Sequence, residues 1–327
     1  MSPHSLPSGL QQRERTLALP EMAAAADNTR RAHRRDIRYF WRWAEVAHGA
    51  CESYPIRSHL LQDFVAQHCN GLAPDIRDVL VAGGWSRGGR LRVTTLRRIL
   101  ASLSVLHLAM GIDNPCRDPA IHYRLRQRRR REGAPRRRRA LTRPLIEQLC
   151  AACGNDIRGR RDRAIIVVGF AAGGLRRSEI SQLDLERLWP DDNAFQLMLN
   201  ATKTDAAGAT LPVRGVAAEA LRAWLAVRAE RTGPVFVGLH RSDRQLARLS
   251  GRGVDRIVAA RARQAGLDPT GIGAHSLRAG YLTEAGRRGL FLGDAMQMSR
   301  HRSLAVALGY YERGRLDRNP GADLLSD

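Results

Sequence analysis

An arginine-rich segment at residues 121–140 constrains the fold of this 327-residue chain more than any other feature. It holds ten arginines, including the runs 128–131 and 136–139. Side chains this charged are rarely buried without partners, so the segment cannot supply a hydrophobic core. The chain is long enough for two domains that each bury a core. We therefore predict a first domain at 27–120 and a second at 141–316, joined by a basic linker at 121–140.

This basic linker permits two interpretations. A block of like charges is usually solvated and self-repelling, which indicates a flexible connection. Between two nucleic-acid-binding domains, the same charges would neutralise phosphates, so we also expect an ordered state on DNA. The candidate contacts to the DNA backbone are Arg128, Arg129, Arg130, Arg131, Arg136, Arg137, Arg138 and Arg139. The segments 1–26 and 317–327 are expected to be tails.

The net charge of the chain points to a polyanionic partner. Lysine and arginine total 54 against 32 aspartates and glutamates, which gives a formal net charge of +22. Such an excess favours nucleic acid. A GC-rich genome would explain the choice of arginine over lysine, but it would not explain the net charge. The sequence shows no acidic cluster typical of two-metal nucleases and no glycine-rich nucleotide loop, so we expect no metal and no cofactor.

The first domain has the apolar spacing of helices. A helix is predicted to start near the capping residues 27–29, followed by helices at 56–68, 75–82 and 94–110. The glycine-rich stretch 83–89 indicates a loop. These features predict a small all-helical domain.

The second domain is predicted to be mostly helical with a small β-hairpin. Helices are predicted at 161–172 and 217–231, and strands at 195–201 and 210–213. Lys203 falls in the connection between these strands. The fold class is therefore mainly α, with a minor β component in the second half.

Four spaced motifs in the second domain carry the chemistry. They are Gly174-Leu175-Arg176-Arg177-Ser178-Glu179, Thr202-Lys203-Thr204, His275-Ser276-Leu277-Arg278, and His301 followed nine residues later by Tyr310. Arg176 and Arg278 can each donate two hydrogen bonds to a phosphate and keep their protons. His275 and Arg278 lie three apart on a predicted helix and share a face. The set fits attack on a DNA phosphodiester by a tyrosine hydroxyl.

In this order and spacing, the motifs resemble the catalytic half of the tyrosine recombinases, the phage integrase family, from about Leu141 to Arg315. The first domain resembles, more loosely, the helical core-binding (SAM-like) domain of that family. The resemblance implies that His301 donates a hydrogen bond to the scissile phosphate. It also implies that Glu179 orients Arg176 or His275; a surface ion pair with a neighbouring arginine is the structural alternative. The family usually has glycine directly before this histidine, whereas this chain has Arg300.

The resemblance also assigns the proton transfers and the nucleophile. It implies that His275 assists proton movement, that Lys203 protonates the departing 5′-oxygen, and that Tyr310 attacks phosphorus. Tyr311 is the neighbouring alternative, but its spacing from His301 is less suitable, and adjacent helical positions point about 100° apart. We expect Tyr311 to be a packed core residue.

The predicted function is that of a site-specific DNA recombinase or integrase of a mobile element or chromosomal system, which cuts and rejoins DNA through a 3′-phosphotyrosyl intermediate without metal or ATP. The expected partners are double-stranded DNA and an accessory DNA-bending protein. The resemblance also implies further copies of the chain, as a dimer per site and a tetramer in the synapse. The alternatives are a non-catalytic DNA-binding regulator that keeps the fold and a type IB topoisomerase.

Two further sequence features concern the compartment. No apolar run reaches the roughly 20 residues of a membrane span, and the N-terminus lacks an apolar signal core, so we expect a cytoplasmic, nucleoid-associated protein without membrane contact. The five cysteines suit reduced thiols. Cys150 and Cys153 form a lone CxxC without a second pair, which makes a metal site there improbable.

Overall fold

The structure is a computed structural model that describes residues 27–50, 52–133, 139–200 and 208–316. The chain divides into two compact units, residues 1–135 and 136–327. Each unit has its own hydrophobic core. Within the described residues, no helix is both long and apolar enough to cross a membrane.

The described part of the first unit is helical, as the sequence predicts. Its helices are α1 (Asp27–His48), α2 (Ser58–Asn70), α3 (Pro74–Ala82), α4 (Val93–Ala109) and α5 (Pro119–Arg131). The aromatic side chains of α1 form the centre of the core: Phe40, Trp41 and Trp43 are almost completely buried, and the rings of Phe40 and Trp43 pack against Phe64 of α2. Burial of several large aromatic rings from one helix holds that helix in place.

Part of the segment that was predicted to be a linker is helical and forms most of α5. Residues 121–131 belong to this helix, which starts at a cap where the Asp118 carboxylate accepts a hydrogen bond from the Ala120 amide at 2.8 Å. Ile121 and Leu125, four residues apart, are buried in the core of the first unit. Two apolar side chains one turn apart are enough to anchor the helix, although arginines cover its other faces. Residues 136–138 lie outside the described part of the chain.

The second unit combines helices with two small antiparallel sheets. Its elements are α6 (Arg143–Ala151), α7 (Ile157–Ala171), α8 (Arg177–Ser181), β1 (Leu188–Asp191), β2 (Ala194–Leu199), β3 (Ala209–Val213), α9 (Val216–Leu225), β4 (Val237–Leu239), β5 (Gln245–Arg248), α10 (Gly251–Gln264), α11 (Ala274–Arg287), α12 (Leu292–Ser299) and α13 (Leu304–Leu316). Helix α7 runs through the core and has buried residues on all sides. The mainly helical fold with a minor β component is confirmed.

The sheets differ in detail from the prediction. Strands β2 and β3 pair antiparallel with Leu199 opposite Ala209, so the predicted hairpin strands are present. Strand β1 adds a third strand, which the sequence did not indicate. Lys203, in the connection between β2 and β3, lies outside the described residues.

The helix predicted at 217–231 ends earlier, at Leu225. The chain after it wraps around the buried Arg228 side chain, which donates hydrogen bonds to the carbonyls of Thr232 at 2.8 Å and Pro234 at 3.0 Å. A guanidinium group that donates hydrogen bonds to several backbone carbonyls stabilises an irregular turn in place of further helix.

Helices α11 and α13 approach each other unusually closely. A Cβ atom at Gly286 of α11 would overlap the carbonyl oxygen of Tyr311, and one at Gly314 of α13 would overlap the carbonyl oxygen of Thr283. Only glycine permits backbones to meet at this distance. The contact fixes the helix that carries Tyr310 against the helix that carries His275 and Arg278.

Candidate active site

The turn between α7 and α8 brings the site together. Gly173 and Gly174 have φ angles of +78° and +72°, which favour glycine. A Cβ atom at Gly173 would overlap the Met298 carbonyl, and one at Gly174 would overlap the Cα of Arg278. The two glycines therefore let three segments converge: the start of α8, the second turn of α11 and the end of α12.

Glu179 connects two arginines in this site. Its side chain is 9% exposed and accepts hydrogen bonds from the Arg176 amide at 2.7 Å and from Arg176 Nη1 at 2.5 Å. The other guanidinium belongs to Arg300, whose Nη2 lies 2.7 Å from Glu179 Oε2. The Arg176 side chain remains 44% exposed. Glu179 therefore orients Arg176 and leaves part of its guanidinium accessible.

Arg278 is a buried cation with an incomplete set of partners. The residue is 2% exposed, and its Nη1 donates to the Gly174 carbonyl at 2.9 Å. Its Nη2 is buried and has no hydrogen-bond acceptor among the described residues. Burial, followed by repulsion from Arg176 and Arg300, lowers the pKa of Arg278 to about 9, against the opposing attraction of Glu179. The site thus carries strong positive potential around an unsatisfied donor.

His301 follows a reversal of the chain at the end of α12. Its Nδ1 lies 2.8 Å from the buried Ser299 hydroxyl, which leaves Nε2 as the other polar atom of the ring. Burial, together with Arg278, Arg176, His275 and Arg300, lowers the pKa of His301 to about 3. The imidazole is therefore neutral near pH 7 and can act as a hydrogen-bonding group without adding a charge.

His275 lies near the start of α11, one turn before Arg278, and is exposed. Asp255 fixes this end of the helix, because its carboxylate accepts hydrogen bonds from the Ala274 amide at 3.1 Å and from Arg177 at 2.6 Å. His275 is close enough to His301 to contribute to the low pKa of His301. The sequence-predicted pair His275 and Arg278 therefore belongs to one cluster.

The two neighbouring tyrosines have different environments. Tyr311 is 7% exposed, and its hydroxyl donates a hydrogen bond to the Leu290 carbonyl, as expected for a core residue. Tyr310 is half-buried, and its hydroxyl has no hydrogen-bond partner in the part of the chain that the structure describes. Only its backbone carbonyl is held, by the Thr283 hydroxyl at 3.2 Å. Of the two hydroxyl groups, the one on Tyr310 is therefore available for chemistry.

A cleft of about 250 Å³ opens beside this cluster. Its lining includes Arg176, Glu179, Arg300, His301, Asn200 and Ala209. Asn200 and Ala209 lie at either end of the connection that contains Lys203, so that connection begins and ends at the cleft.

The structure thus groups five of the seven residues predicted for the catalytic site and adds two. Arg176, Glu179, His275, Arg278 and His301 form one cluster. The arginines 128–131 belong to the first unit, in α5. The added residues are Ser299 and Arg300. Sequence reasoning treated Arg300 only as a departure from the family pattern, and Ser299, two residues before His301, gave no signal of its own.

Comparison with known proteins agrees with this arrangement. The sequence matches the phage integrase family over residues 139–315. The chain therefore belongs to the phage integrase family, the tyrosine recombinases.

Individual relatives show how far the likeness extends. An integrase/recombinase xerD homolog from Selenomonas ruminantium is 27% identical over 308 residues, which cover 89% of this chain and 83% of that protein. The tyrosine recombinase XerC of Azotobacter vinelandii is 35% identical over 190 residues, 55% of this chain and 56% of that protein. The chain thus spans about half the length of the XerC relatives that it matches.

Solved structures share the fold. The Tn1549 transposon integrase in complex with a circular intermediate DNA has a TM-score of 0.64 at 14% identity, over 95% of this chain and 99% of that chain. A lambda integrase dimer bound to a core site has a TM-score of 0.55 at 13% identity, over 93% and 77%.

Proposed function

We propose that this protein is a site-specific DNA recombinase that cuts and rejoins DNA through a covalent link to Tyr310, without metal or ATP. The observation that carries the proposal is the Arg278 guanidinium, buried and with no acceptor for Nη2 among the described residues. A buried, unsatisfied donor costs on the order of 1–3 kcal/mol, and more when it is charged. A non-bridging phosphate oxygen would supply the missing acceptor.

The charges around Arg278 suit the transition state of phosphoryl transfer. Negative charge spreads over the non-bridging oxygens as the nucleophile approaches and the leaving oxygen departs. Arg176 is partly exposed beside Arg278 and supplies a second guanidinium group that can donate two hydrogen bonds to these oxygens. His301, neutral because its pKa is depressed, adds a hydrogen bond from Nε2 when the Ser299 hydroxyl donates to Nδ1. Groups fixed in this way need no reorganisation during the reaction.

The proposed reaction balances without a cofactor. The Tyr310 hydroxyl gives up its proton, with His275 as the acceptor, and its oxygen bonds to phosphorus. The bond from phosphorus to the 5′-oxygen breaks, and that oxygen takes a proton from Lys203. The phosphotyrosyl ester keeps the energy of the original diester, so a different 5′-hydroxyl can displace Tyr310 by the reverse steps.

DNA is the proposed partner of both units. The net charge of +22 favours a polyanion, and the arginines on α5 and at 136–139 would contact the phosphate backbone. The solved Tn1549 and lambda integrases that share the fold are bound to DNA. We further propose a dimer on each site, a tetramer in the synapse, help from an accessory DNA-bending protein, and action in the cytoplasm at the nucleoid.

Covalent trapping tests this proposal. The wild type, Tyr310→Phe and Tyr311→Phe are incubated in EDTA with nicked duplexes drawn from the flanks of the protein's own gene and from a random-flank library. The expected result is a denaturation-resistant protein–DNA adduct with the wild type that Tyr310→Phe lacks. Loss of the adduct with Tyr311→Phe alone would show that Tyr311, and not Tyr310, is the nucleophile. Binding without any adduct across the library would indicate a non-catalytic regulator.

A further inference from the structure

Arg300 occupies a position where an arginine is costly. It ends α12 in the left-handed region, with φ 53° and ψ 43°. A residue with a Cβ atom pays about 1–2 kcal/mol in this conformation, whereas glycine adopts it readily. The cost has to be offset by interactions of the arginine side chain.

Those interactions lie within the candidate active site. The Arg300 side chain is 12% exposed, and its Nη2 forms the 2.7 Å ion pair with Glu179. Its backbone carbonyl also lies 3.4 Å from Arg176 Nη2. Arg300 therefore contacts both members of the Arg176–Glu179 pair, one through its side chain and the other through its backbone.

The charge balance between the arginines and Glu179 shows what Arg300 adds. Arg176, Arg278 and Arg300 are three cations around one carboxylate, so these four side chains have a net charge of +2, and the neutral His301 adds nothing to it. With glycine at position 300 the net charge would be +1, and Glu179 would pair with Arg176 alone. Much of the Arg176 charge would then be neutralised within the protein before any phosphate arrives.

We propose that Arg300 is a positioning residue. It forms an ion pair with Glu179, so that Glu179 neutralises less of the Arg176 charge and Arg176 can interact more strongly with the scissile phosphate. This inference rests on the proposed function. Arg300 acts through Glu179 and Arg176 and does not need to touch the DNA. The effect should appear in the formation of the covalent adduct more than in the affinity for DNA, because the extra charge acts where negative charge develops.

Substitutions at position 300 can remove the side-chain contacts without adding backbone strain. Arg300→Gly removes the side chain and places a residue suited to the left-handed backbone, so the chain should fold at least as readily. Arg300→Lys retains the charge and the backbone cost. Arg302→Ala is the charge-matched comparison: Arg302 is exposed at the edge of the same cleft, and no hydrogen bond or ion pair ties it to Glu179 in the described structure.

The test is the single-turnover rate of adduct formation on a nicked duplex at saturating protein, with Tyr310→Phe as the blank. We expect Arg300→Gly to slow the reaction by about tenfold or more, Arg300→Lys to recover most of the rate, and Arg302→Ala to have a smaller effect. The His301 ring, followed by NMR without DNA, should show a raised pKa in Arg300→Gly, because a nearby cation is gone.

The outcomes separate the two proposals. No adduct with the wild type would reject the proposed function. An unchanged pKa of His301 in Arg300→Gly, measured without DNA, would overturn the role of Arg300 independently. A wild-type adduct together with an unchanged rate in Arg300→Gly would overturn the role of Arg300. An equal loss in Arg300→Gly and Arg302→Ala would also overturn it, since general attraction to DNA would then suffice.

Discussion

Single residues in the site act through their partners, and Ser299 is the simplest example. Its buried hydroxyl lies 2.8 Å from His301 Nδ1. Ser299→Ala removes the group that fixes the ring and selects which nitrogen carries the proton, so we expect a roughly tenfold or greater loss in the rate of adduct formation. Ser242→Ala is the matched control, because it breaks a similar 3.0 Å contact to His240 on the exposed surface. Equal rates in the two variants would contradict a role for Ser299.

His68 gives a prediction about acid stability. Its Nδ1 donates to the Phe64 carbonyl at 2.7 Å, and its Nε2 accepts from the Tyr39 hydroxyl at 2.8 Å, so both ring atoms are used in the neutral form. Burial lowers the pKa of His68 to about 4 from 6.5. Between about pH 6.5 and pH 4, His68 is therefore protonated in the unfolded chain but neutral in the folded chain. Stability should fall as the pH drops from about 6.5 to about 4, by up to about 1.4 kcal/mol per pH unit.

The measurement is hydrogen exchange of α1 and α2 amides in the full chain, corrected for intrinsic rates. His68→Gln should show a shallower pH dependence below pH 6.5 than the wild type. It should not be flat, since burial also lowers the pKa values of His33 and His107 in the same unit. Identical slopes in the two proteins would show that His68 is not the titrating group.

At the scale of elements, the contact of α11 with α13 carries the strongest prediction. Gly314→Ala would push a methyl group into the Thr283 carbonyl, so the helices must separate. We expect the free energy of unfolding to fall by about 1–3 kcal/mol, measured by denaturant titration. Gly309→Ala is the control on the same helix, because a Cβ atom there meets nothing within 4 Å. It should be neutral or stabilising by up to about 1 kcal/mol, as alanine favours a helix. A similar loss in both variants would reject the close contact.

The elements also show where the sequence is informative. The start of α1 and both ends of α2 to α4 were predicted to within a few residues, because apolar residues recur at helical intervals along these helices. Helix α7 was predicted from its continuous apolar stretch, which is buried on all sides. Helix α5 was missed because only Ile121 and Leu125 mark its buried face among the arginines. Strands β1, β4 and β5 have three or four residues each, too few for an alternating pattern to be recognised.

The candidate site was predictable in composition and less so in its connections. Motif spacing pointed to Arg176, Glu179, His275, Arg278 and His301, which the structure brings into one cluster; Tyr310 as the nucleophile stays a prediction. The pairing of Arg300 with Glu179 joins residues 121 apart and depends on a left-handed backbone. No local sequence rule reports such a contact, so only the folded structure supplies it.

For the whole molecule, the high net charge makes a prediction about DNA binding. If binding neutralises six to ten phosphates, affinity should fall by about 10³- to 10⁵-fold between 50 and 200 mM salt. Fluorescence anisotropy of a labelled duplex over a salt series measures the slope. Potassium glutamate in place of chloride checks for anion effects. An affinity that does not change with salt would contradict a phosphate-dominated interface.

The glycine contacts between α11 and α13 have a kinetic consequence. Arg278 and Tyr310 lie on helices whose backbones touch at Gly286 and Gly314, so the backbone of α13 cannot slide along α11 without the two helices separating. A state that moves the backbone of Tyr310 away from α11 requires the two helices to part, and closely packed helices part cooperatively. If the proposed cleavage is regulated by such a movement of α13, the regulation should be all-or-none, with copies of the chain that are either competent or incompetent and few in between.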